Sequence, residues 1–549
     1  ERLTMITGGE AIIKCLELEG VKVVFGYPGA VICPFYDNIL KTNIKHILVR
    51  QEQNAGHAAS GYARITKKPS VCVATSGPGA TNLITALATA YMDSIPLIAI
   101  TGQINSVNLG RDVFQEADIT GAAEPFTKHS FLVKNASEIP EIFHKAFYVA
   151  NSGRPGPVLI DIPIDVQNTQ FNFKEYNPDE KPEMRSYKPT INGHVIQLKK
   201  IINAISNSKR PLVCFGGGVF LSDAQKQANE FIKALQVPCV CTLMGLGVIE
   251  TENPLFLGMI GVHGKAKANS ALHKADLLCI VGARLCDRTV ADTSSLPKDF
   301  TVIHIDVDPA EIGKNIKVNI PVVGDARSVL NKLNEMINKT PINNFTNWCN
   351  ELDVYKKPVE KIFKKPANGF INPKQLCYEL SKKLDNDAIV IADVGQNQIW
   401  SAANIQIKNG RFLTSGGMGT MGYSLPCAMG VKSADNSKQV VSICGDGSFQ
   451  MCFMELATLV QNNINIKIIV MKNNSLGMVR EIQKNKYGGR LSATVLSEKP
   501  DFSLIASAYG IKSLTLNNND NISEALDLFL KDDQCFLLEC IVDPEESTL

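Results

Sequence analysis

The chain has 549 residues, too many for one hydrophobic core and enough for roughly three domains. Apolar residues make up 45% and charged residues 20%, with a formal net charge of only +2, so its electrostatics give no reason to invoke nucleic acid or an anionic membrane. No apolar run is long enough to span a bilayer, and the 15 cysteines lie scattered without paired CxxC spacing, which reads as buried thiols in a reducing, cytoplasmic setting.

The N-terminus lacks the basic start and apolar core of a signal peptide, and helical patterning begins at Gly9-Glu10-Ala11. An apolar strand over 44–49 feeds Glu52, which opens a helix full of small residues, QNAGHAASGYAR. A carboxylate there ordinarily just complements the helix dipole. Here Ala55, Gly56 and Ala59 leave room for another body to pack over it, and a shielded carboxylate could share a proton with a ring nitrogen. Residues 70–103 read as strand, Gly-rich turn (TSGPGATN), Ala-rich helix and strand. A first domain over 1–167 closes with GRPGP and the strand VLIDIP, and 168–190, polar and without periodicity, reads as an exposed linker.

A middle domain spans 191–340. Its strand over 211–215 runs into Gly216-Gly217-Gly218, a weak phosphate-loop signal by itself. A second charged connector, 341–368, precedes a last domain over 369–549. There a buried strand over 439–444 feeds Gly445-Asp446-Gly447, a helix is expected over 450–461, and the strand 466–472 ends at Asn473-Asn474. In a parallel β-α-β unit Asp446 and Asn473 then sit side by side at the carboxyl ends of adjacent strands. One carboxylate and one amide oxygen suit Mg²⁺ or Ca²⁺ and leave positions for substrate phosphates, while the glycines let backbone and helix N-terminus approach the anion. Singly, GDG and NN are common turn chemistry. Strands and helices alternate throughout, which predicts an α/β protein of three domains, each a parallel sheet flanked by helices. Residues 70–103 and 439–474 share one layout, suggesting two similarly folded domains with a site between them.

The GDG…NN pair matches the signature of thiamine-diphosphate-dependent enzymes. VFGYPGA (24–30), RQEQNAGHAASGYAR (50–64), TSGPGATN (75–82), FQEADI (114–119), TKHSFLV (127–133), SGRPGPVLIDIP (152–163), GTMGYSLP (419–426), GDGSFQM (445–451) and NNSLGMV (473–479) occur in one order. Over essentially the whole chain they resemble the catalytic subunit of acetohydroxyacid (acetolactate) synthase. That resemblance implies decarboxylation of pyruvate on thiamine diphosphate. The two-carbon unit then joins a second 2-ketoacid, pyruvate giving acetolactate and 2-ketobutyrate giving acetohydroxybutyrate. It implies that Glu52 bonds to N1′ of the cofactor's pyrimidine. Val394, Gly395, Gln396, Gly419, Met421, Gly445, Gly447, Ser448 and Met478 would also contact the cofactor, with Met421 bending it into a V. Asp446, Asn473 and the Ser475 carbonyl would bind Mg²⁺. Phe114 and Gln115 would line the substrate entrance from the neighbouring subunit, Lys128 would be a further catalytic residue, and Arg288 would meet the second substrate's carboxylate.

By the same resemblance the middle domain binds FAD in a non-redox role. Its contacts would be Arg154 from the first domain and Gly216, Gly217, Gly218, Thr242, Leu243, Met244, Gly261, His263, Gly264, Gly282, Ala283, Arg284, Asp287, Asp306, Val307 and Asp325. A homodimer or homotetramer is implied, and the sequence leaves open whether a small regulatory subunit binds. Rival readings are a pyruvate oxidase that passes electrons to FAD and a catabolic acetolactate synthase without FAD. The chain departs from the family at Gln51 and Asn397, where His is common, at Cys286, where Asp is common, and at Asn105, where Pro is frequent. At Ile482 the biosynthetic members usually carry Trp, a residue linked to 2-ketobutyrate preference, so weaker discrimination is expected.

Overall fold

The computed structural model describes residues 4–290, 296–297, 300–339, 342–356 and 361–548. The expected domain boundary at 340–341 and part of the second connector, 357–360, lie outside them.

The described residues form twenty strands. The first domain has β2 (Val23–Gly26), β3 (Lys45–Leu48), β4 (Ser70–Ala74), β5 (Leu97–Gln103), β6 (His129–Leu132) and β7 (Pro157–Pro163). β1 (Thr4–Thr7) and β8 (Gln170–Phe173) pair antiparallel as a separate ribbon. The middle domain has β9 (Pro211–Phe215), β10 (Cys239–Cys241), β11 (Phe256–Met259), β12 (Leu277–Val281), β13 (Thr301–Asp306) and β14 (Ile320–Val323). The last has β15 (Ile389–Ala392), β16 (Arg411–Leu413), β17 (Val440–Gly445), β18 (Lys467–Lys472), β19 (Lys512–Leu516) and β20 (Phe536–Ile541). Central strands such as SVCVA and VVSIC are buried along their length, as parallel strands covered on both faces must be.

Strand order makes the duplication explicit. The first sheet runs β3-β2-β4-β5-β7-β6 and the last runs β16-β15-β17-β18-β20-β19, the same permutation of six consecutive strands. The middle sheet runs β11-β10-β9-β12-β13-β14, the order of dinucleotide-binding folds, with its switch point between β9 and β12.

The helices that follow the second strand of each related sheet, Glu52–Thr66 and Ser424–Ala434, pack directly on each other. A Cβ on Gly61 would lie 2.1 Å from the Cys427 carbonyl oxygen, and one on Gly430 would lie 1.8 Å from that of Ala58. The contact is reciprocal, each helix offering a glycine three residues beyond the residue its partner touches. Ala55, Ala58, Ala59 and Ala63 share one buried cluster with Leu425, Cys427, Ala428 and Val431, so the first and last domains have a common core.

Three expectations need correction. The 168–190 linker is fastened to the first domain. Phe171 and Phe173 alternate inward from β8, the Tyr176 hydroxyl donates to Glu19 at 3.0 Å, and His144 stacks on Tyr176. The middle domain continues past 340, because Phe345, Trp348 and Leu352 lie on one face of a short helical segment and enter its core, and Trp348 Nε1 donates to the Pro211 carbonyl at 3.0 Å. The helix expected over 450–461 is broken. Helix Asp446–Phe449 starts on the GDG turn, the backbone kinks at Cys452 (φ −142°, ψ 2°), and helix Leu456–Asn462 resumes beyond it. The kink turns Glu455 inward, where it is needed below.

Candidate active site

Glu52 stands where expected, at the first turn of its helix just past β3. Its carboxylate accepts from Asn82 Nδ2 at 2.9 Å, and a Cβ on Gly79 would lie 3.3 Å from Glu52 Oε1. Gly77, in the same turn at φ +56°, sits under Gln115, whose Cβ would be 2.9 Å from a Cβ there. The first domain therefore gathers Glu52, the TSGPGATN turn and the Phe114-Gln115 loop at one place. Phe114 is 87% exposed. The hydroxyls of Thr75 and Ser76 in that turn are buried without partners, so polar capacity is left for a ligand.

The second half-site lies at the carboxyl ends of β17 and β18, which pair in register from Val441 opposite Lys467 to Gly445 opposite Met471. Asp446 is buried and accepts from the backbone N–H groups of Gly447 at 2.8 Å and Asn474 at 2.6 Å. Burial pushes its carboxyl up to about 6 while those N–H groups pull the other way, so a cation would relieve a strained charge. Asn473 Nδ2 donates to Gln396 Oε1 at 3.0 Å, and its Oδ1 accepts the Ser475 N–H at 3.0 Å. Among the described residues no three His, Cys, Asp or Glu side chains converge as metal ligands. The Asp446, Asn473 and Ser475 oxygens are a partial set, of the kind Mg²⁺ completes with phosphate and water. The buried, unpartnered Asn474 Oδ1 and Thr494 Oγ1 stand beside them. These orphaned atoms and the mixed oxygens fit a cation holding a diphosphate.

Met421 leans on the GDG turn, its methyl 3.4 Å from where a Gly447 Cβ would stand, and Gly419 (φ +69°) faces open space. Two buried carboxylates hold the loop that carries these residues. Asp93, from the first domain, accepts the N–H of Gly417 at 2.8 Å and of Gly416 at 3.3 Å. Asp393, at the end of β15, accepts those of Gly422 at 3.0 Å and Ser424 at 2.8 Å. Arg64 pairs with Asp93 at 2.8 Å and donates to the Tyr423 hydroxyl at 3.0 Å. Met244 of the middle domain packs on Gly416, so all three domains meet at this loop. Sequence reasoning missed Asp93 and Arg64. Asp393, an acid directly after an apolar strand like Asp446, was visible in principle.

Gln396 binds Glu481 at 3.0 Å and the Glu546 carbonyl at 3.0 Å as well as Asn473. Val394 and Gly395 lead into its helix, Ser448 caps the Gly445 N–H at 3.1 Å, and Met478 lies half-buried in helix Gly477–Lys486 beside the 44% exposed Ile482. Arg288 projects into solvent with Asp287 at 3.8 Å, and its charge and that of Glu481 both reach His263. Lys128, expected as a catalytic residue, lies half-buried. Its ammonium is taken up by the carbonyls of Val149 and Ser152 and by the Tyr187 hydroxyl.

In the middle domain the loops after β9 and β12 interlock. Gly218 N–H donates to Gly282 O at 3.0 Å, and Cβ atoms on Gly216 or Gly218 would collide with Gly282 and Ala283. Met244 packs against Gly217, in a short helical turn that Thr242 and Leu243 begin, and Gly261 and Gly264 form a tight turn under Arg288 and Thr289. His263 and His304 each keep a buried Nδ1 without a partner. Asp306 accepts the Asp308 N–H at 2.9 Å, just before which Val307 lies, and Arg284 O accepts from Asn315 at 2.9 Å. A close glycine approach at a dinucleotide-type switch point, with orphaned imidazole nitrogens, fits a bound dinucleotide. Two expected contacts already have other partners. Asp325 caps helix Ala326–Ile337 through the Ser328 N–H at 3.0 Å, and Arg154 reaches from the first domain into an ion pair with Glu311 at 2.9 Å and Asp308 at 3.4 Å.

Fold and site together define a thiamine-pyrophosphate enzyme. Residues 6–122 match the family model "Thiamine pyrophosphate enzyme, N-terminal TPP binding domain", 198–333 the central domain and 393–540 the C-terminal TPP binding domain. The chain is 43% identical over 547 residues to the probable acetolactate synthase large subunit of Methanocaldococcus jannaschii, covering 98% of this chain and 92% of that protein. It is 41% identical to the Haemophilus influenzae acetolactate synthase large subunit (95% and 91% covered) and 39% identical to acetolactate synthase isozyme 3 large subunit of Escherichia coli (99% and 96%). The chain belongs to the acetolactate synthase large-subunit family. Among the described residues no helix is long and apolar enough to cross a membrane.

Proposed function

We propose that the protein is a thiamine-diphosphate-dependent acetolactate synthase that works with Mg²⁺, on pyruvate alone and on pyruvate with 2-ketobutyrate. The observation that carries this reading is the division of labour between two sheets of identical strand order. One presents Glu52 beside a turn with unfilled hydroxyls, and the other presents Asp446, Asn473 and the Ser475 carbonyl. When bound, thiamine diphosphate supplies the carbon acid and electron sink for decarboxylation and ligation. Glu52 holds a proton at the pyrimidine end. Asp446, Asn473 and Ser475 hold Mg²⁺ at the diphosphate end, and Met421, stiffened through Asp93 and Asp393, shapes the space between. Gln115 and Phe114 border the entrance, with Arg288 and Ile482 at the second ketoacid.

The exposed apolar side chains of Phe114, Met418, Met451, Val479, Ile482 and Val495 surround both half-sites. They support a homodimer, or a tetramer built from it, in which Glu52 of one chain meets Asp446 of another. The middle domain's glycine contacts support FAD in a structural role. The relatives' names as large subunits support a small regulatory partner, and the free, mostly buried cysteines support a reducing, cytoplasmic setting.

The test is purified protein with pyruvate, Mg²⁺ and thiamine diphosphate, with and without FAD, scoring acetolactate and oxygen uptake. Acetolactate without oxygen uptake is expected. Oxygen uptake in place of acetolactate would instead establish an oxidase. Glu52→Gln should lose at least about a hundredfold in kcat while still binding the diphosphate end.

A further inference from the structure

The reading above leaves one buried acid unused. Glu455 has no solvent exposure, and it points from the last domain into the first. Its Oε1 accepts from the backbone N–H of Arg50 at 2.9 Å and from Asn54 Nδ2 at 2.9 Å, and its Oε2 accepts from the Thr458 hydroxyl at 2.5 Å. Arg50 adds a second grip, donating to Gln461 Oε1 at 2.7 Å and to Leu48 O at 2.9 Å. A charge taken out of water is tolerated only with such a full set of donors.

The two first-domain residues that Glu455 holds lie two before and two after Glu52. They bracket the strand-to-helix turn from which that side chain projects. The turn has no support of its own kind, because Gln51 at the helix N-cap makes no side-chain cap. The Glu455 carboxylate therefore adds, from another domain, a second acid at the positive end of a helix whose first turn already holds Glu52.

We propose that Glu455 is a positioning residue whose carboxylate fixes the 50–54 turn and so aims Glu52 at the pyrimidine ring of thiamine diphosphate. The proposal rests on the assignment of Glu52 made above. Glu455 also lies nine residues beyond Asp446 on the segment that begins with the GDG turn. If the half-sites pair across a dimer, the clamp ties the acid of one site to the cation segment of the other.

Two readouts on the full-length protein test it. In cofactor-free protein, Glu455→Ala should speed amide hydrogen exchange at Arg50 and its neighbours at least tenfold, and Glu455→Gln, which keeps an acceptor oxygen, should restore protection. In protein loaded with thiamine diphosphate and Mg²⁺, Glu455→Ala should slow hydrogen–deuterium exchange at the cofactor's C2 by about ten- to a hundredfold, the usual cost of a small misplacement. Cofactor affinity should change by less than about threefold, because the diphosphate end is held elsewhere. Glu455→Gln should recover most of the C2 rate. A role as mere glue between domains predicts a lowered melting temperature with C2 exchange intact. That result, or a Gln variant as slow as the Ala variant, overturns the proposal. If Glu455→Ala does not fold, Asn54→Ala decides, since it removes one of the two bonds to Oε1. Slowed C2 exchange at unchanged affinity supports the clamp, and a wild-type rate refutes it. Glu52→Gln in the same assay separates the two claims, because a wild-type C2 rate there removes the Glu52 assignment itself.

Discussion

A single methyl group placed at Gly430 should measure how tightly the two related domains are crossed. Built on the existing backbone it would stand 1.8 Å from the Ala58 carbonyl oxygen and 2.7 Å from its carbon. An ordinary C···O contact needs about 3.3 Å, so the helices must part by about 1.5 Å. Helix propensity alone favours alanine over glycine by about 0.8–1 kcal/mol. Against this, overpacking costs about 1–3 kcal/mol, and parting the helices loosens Ala55, Ala58 and Ala59 from Leu425 and Ala428. The net expectation is a loss of about 1–2 kcal/mol, read as a fall of about 1–3 °C in Tm by scanning calorimetry, since the two domains share one core. Gly61→Ala should behave alike. Because either substitution opens the same crossing, the double variant should cost at least about 0.5 kcal/mol less than the sum. Glu52 heads the displaced helix, so kcat should fall further than thiamine diphosphate affinity. A rise in Tm for Gly430→Ala, or full additivity, would refute the close reciprocal crossing.

Asp93→Ala should strand the buried Arg64 guanidinium and two loop N–H groups, costing about 3–5 kcal/mol in chemical denaturation and weakening thiamine diphosphate binding through the loop of Gly419 and Met421; a loss under about 1 kcal/mol would count against it. Burial holds the His57 imidazole down at about 3, against 6.5 when free, so the folded state refuses a proton that the unfolded chain accepts. Stability from this group is present above about 6.5 and is lost as pH falls toward 3, by about 1.4 kcal/mol per unit. Asp161 and Glu19, both pushed up to about 7 by burial, act in the opposite sense, so the readout is the difference between wild type and His57→Gln. That difference should shift in favour of the variant on going from pH 6 to pH 5, and a pH-independent gap would exclude the effect. Ile482→Trp should raise the share of acetohydroxybutyrate in a mixed-ketoacid assay, and an unchanged product ratio would show that position 482 does not set the preference.

What could be read ahead of the structure was whatever depends on local pattern. Asp446 and Asn473 were readable because each follows a continuous apolar strand, and two such strands in a β-α-β unit have to lie side by side. β17 and β18 do, in register. Glu52 was readable because small residues behind an acid signal close packing. What could not be read depends on partners far away in the chain. Glu455 bonds to residues about 400 positions distant, and in its own segment FMELATL it has the pattern of a surface helix acid. Asp93, at the end of a helix before Ser94, likewise gives no local sign that it will hold Gly416 and Gly417. The 168–190 stretch looked unattached because its two inward phenylalanines find their strand partner at residues 4–7.

The two related domains differ where function would require it. After its second strand the first domain goes straight from Arg50-Gln51 into the Glu52 helix, while at the same topological place the last domain inserts the longer loop that carries Gly419 and Met421. After the third strand the first domain has Thr75-Ser76-Gly77-Pro78, with hydroxyls and no acid, and the last has Gly445-Asp446-Gly447. Each therefore has an acid only where the other has none: one suited to a ring nitrogen, the other to a divalent cation. A cofactor with a basic ring at one end and a diphosphate at the other needs both, and neither domain alone could hold it in a reactive posture. The buried bonds from Asp93 and Glu455 follow from that division, since each reaches across from one domain to steady the element with which the other meets the cofactor.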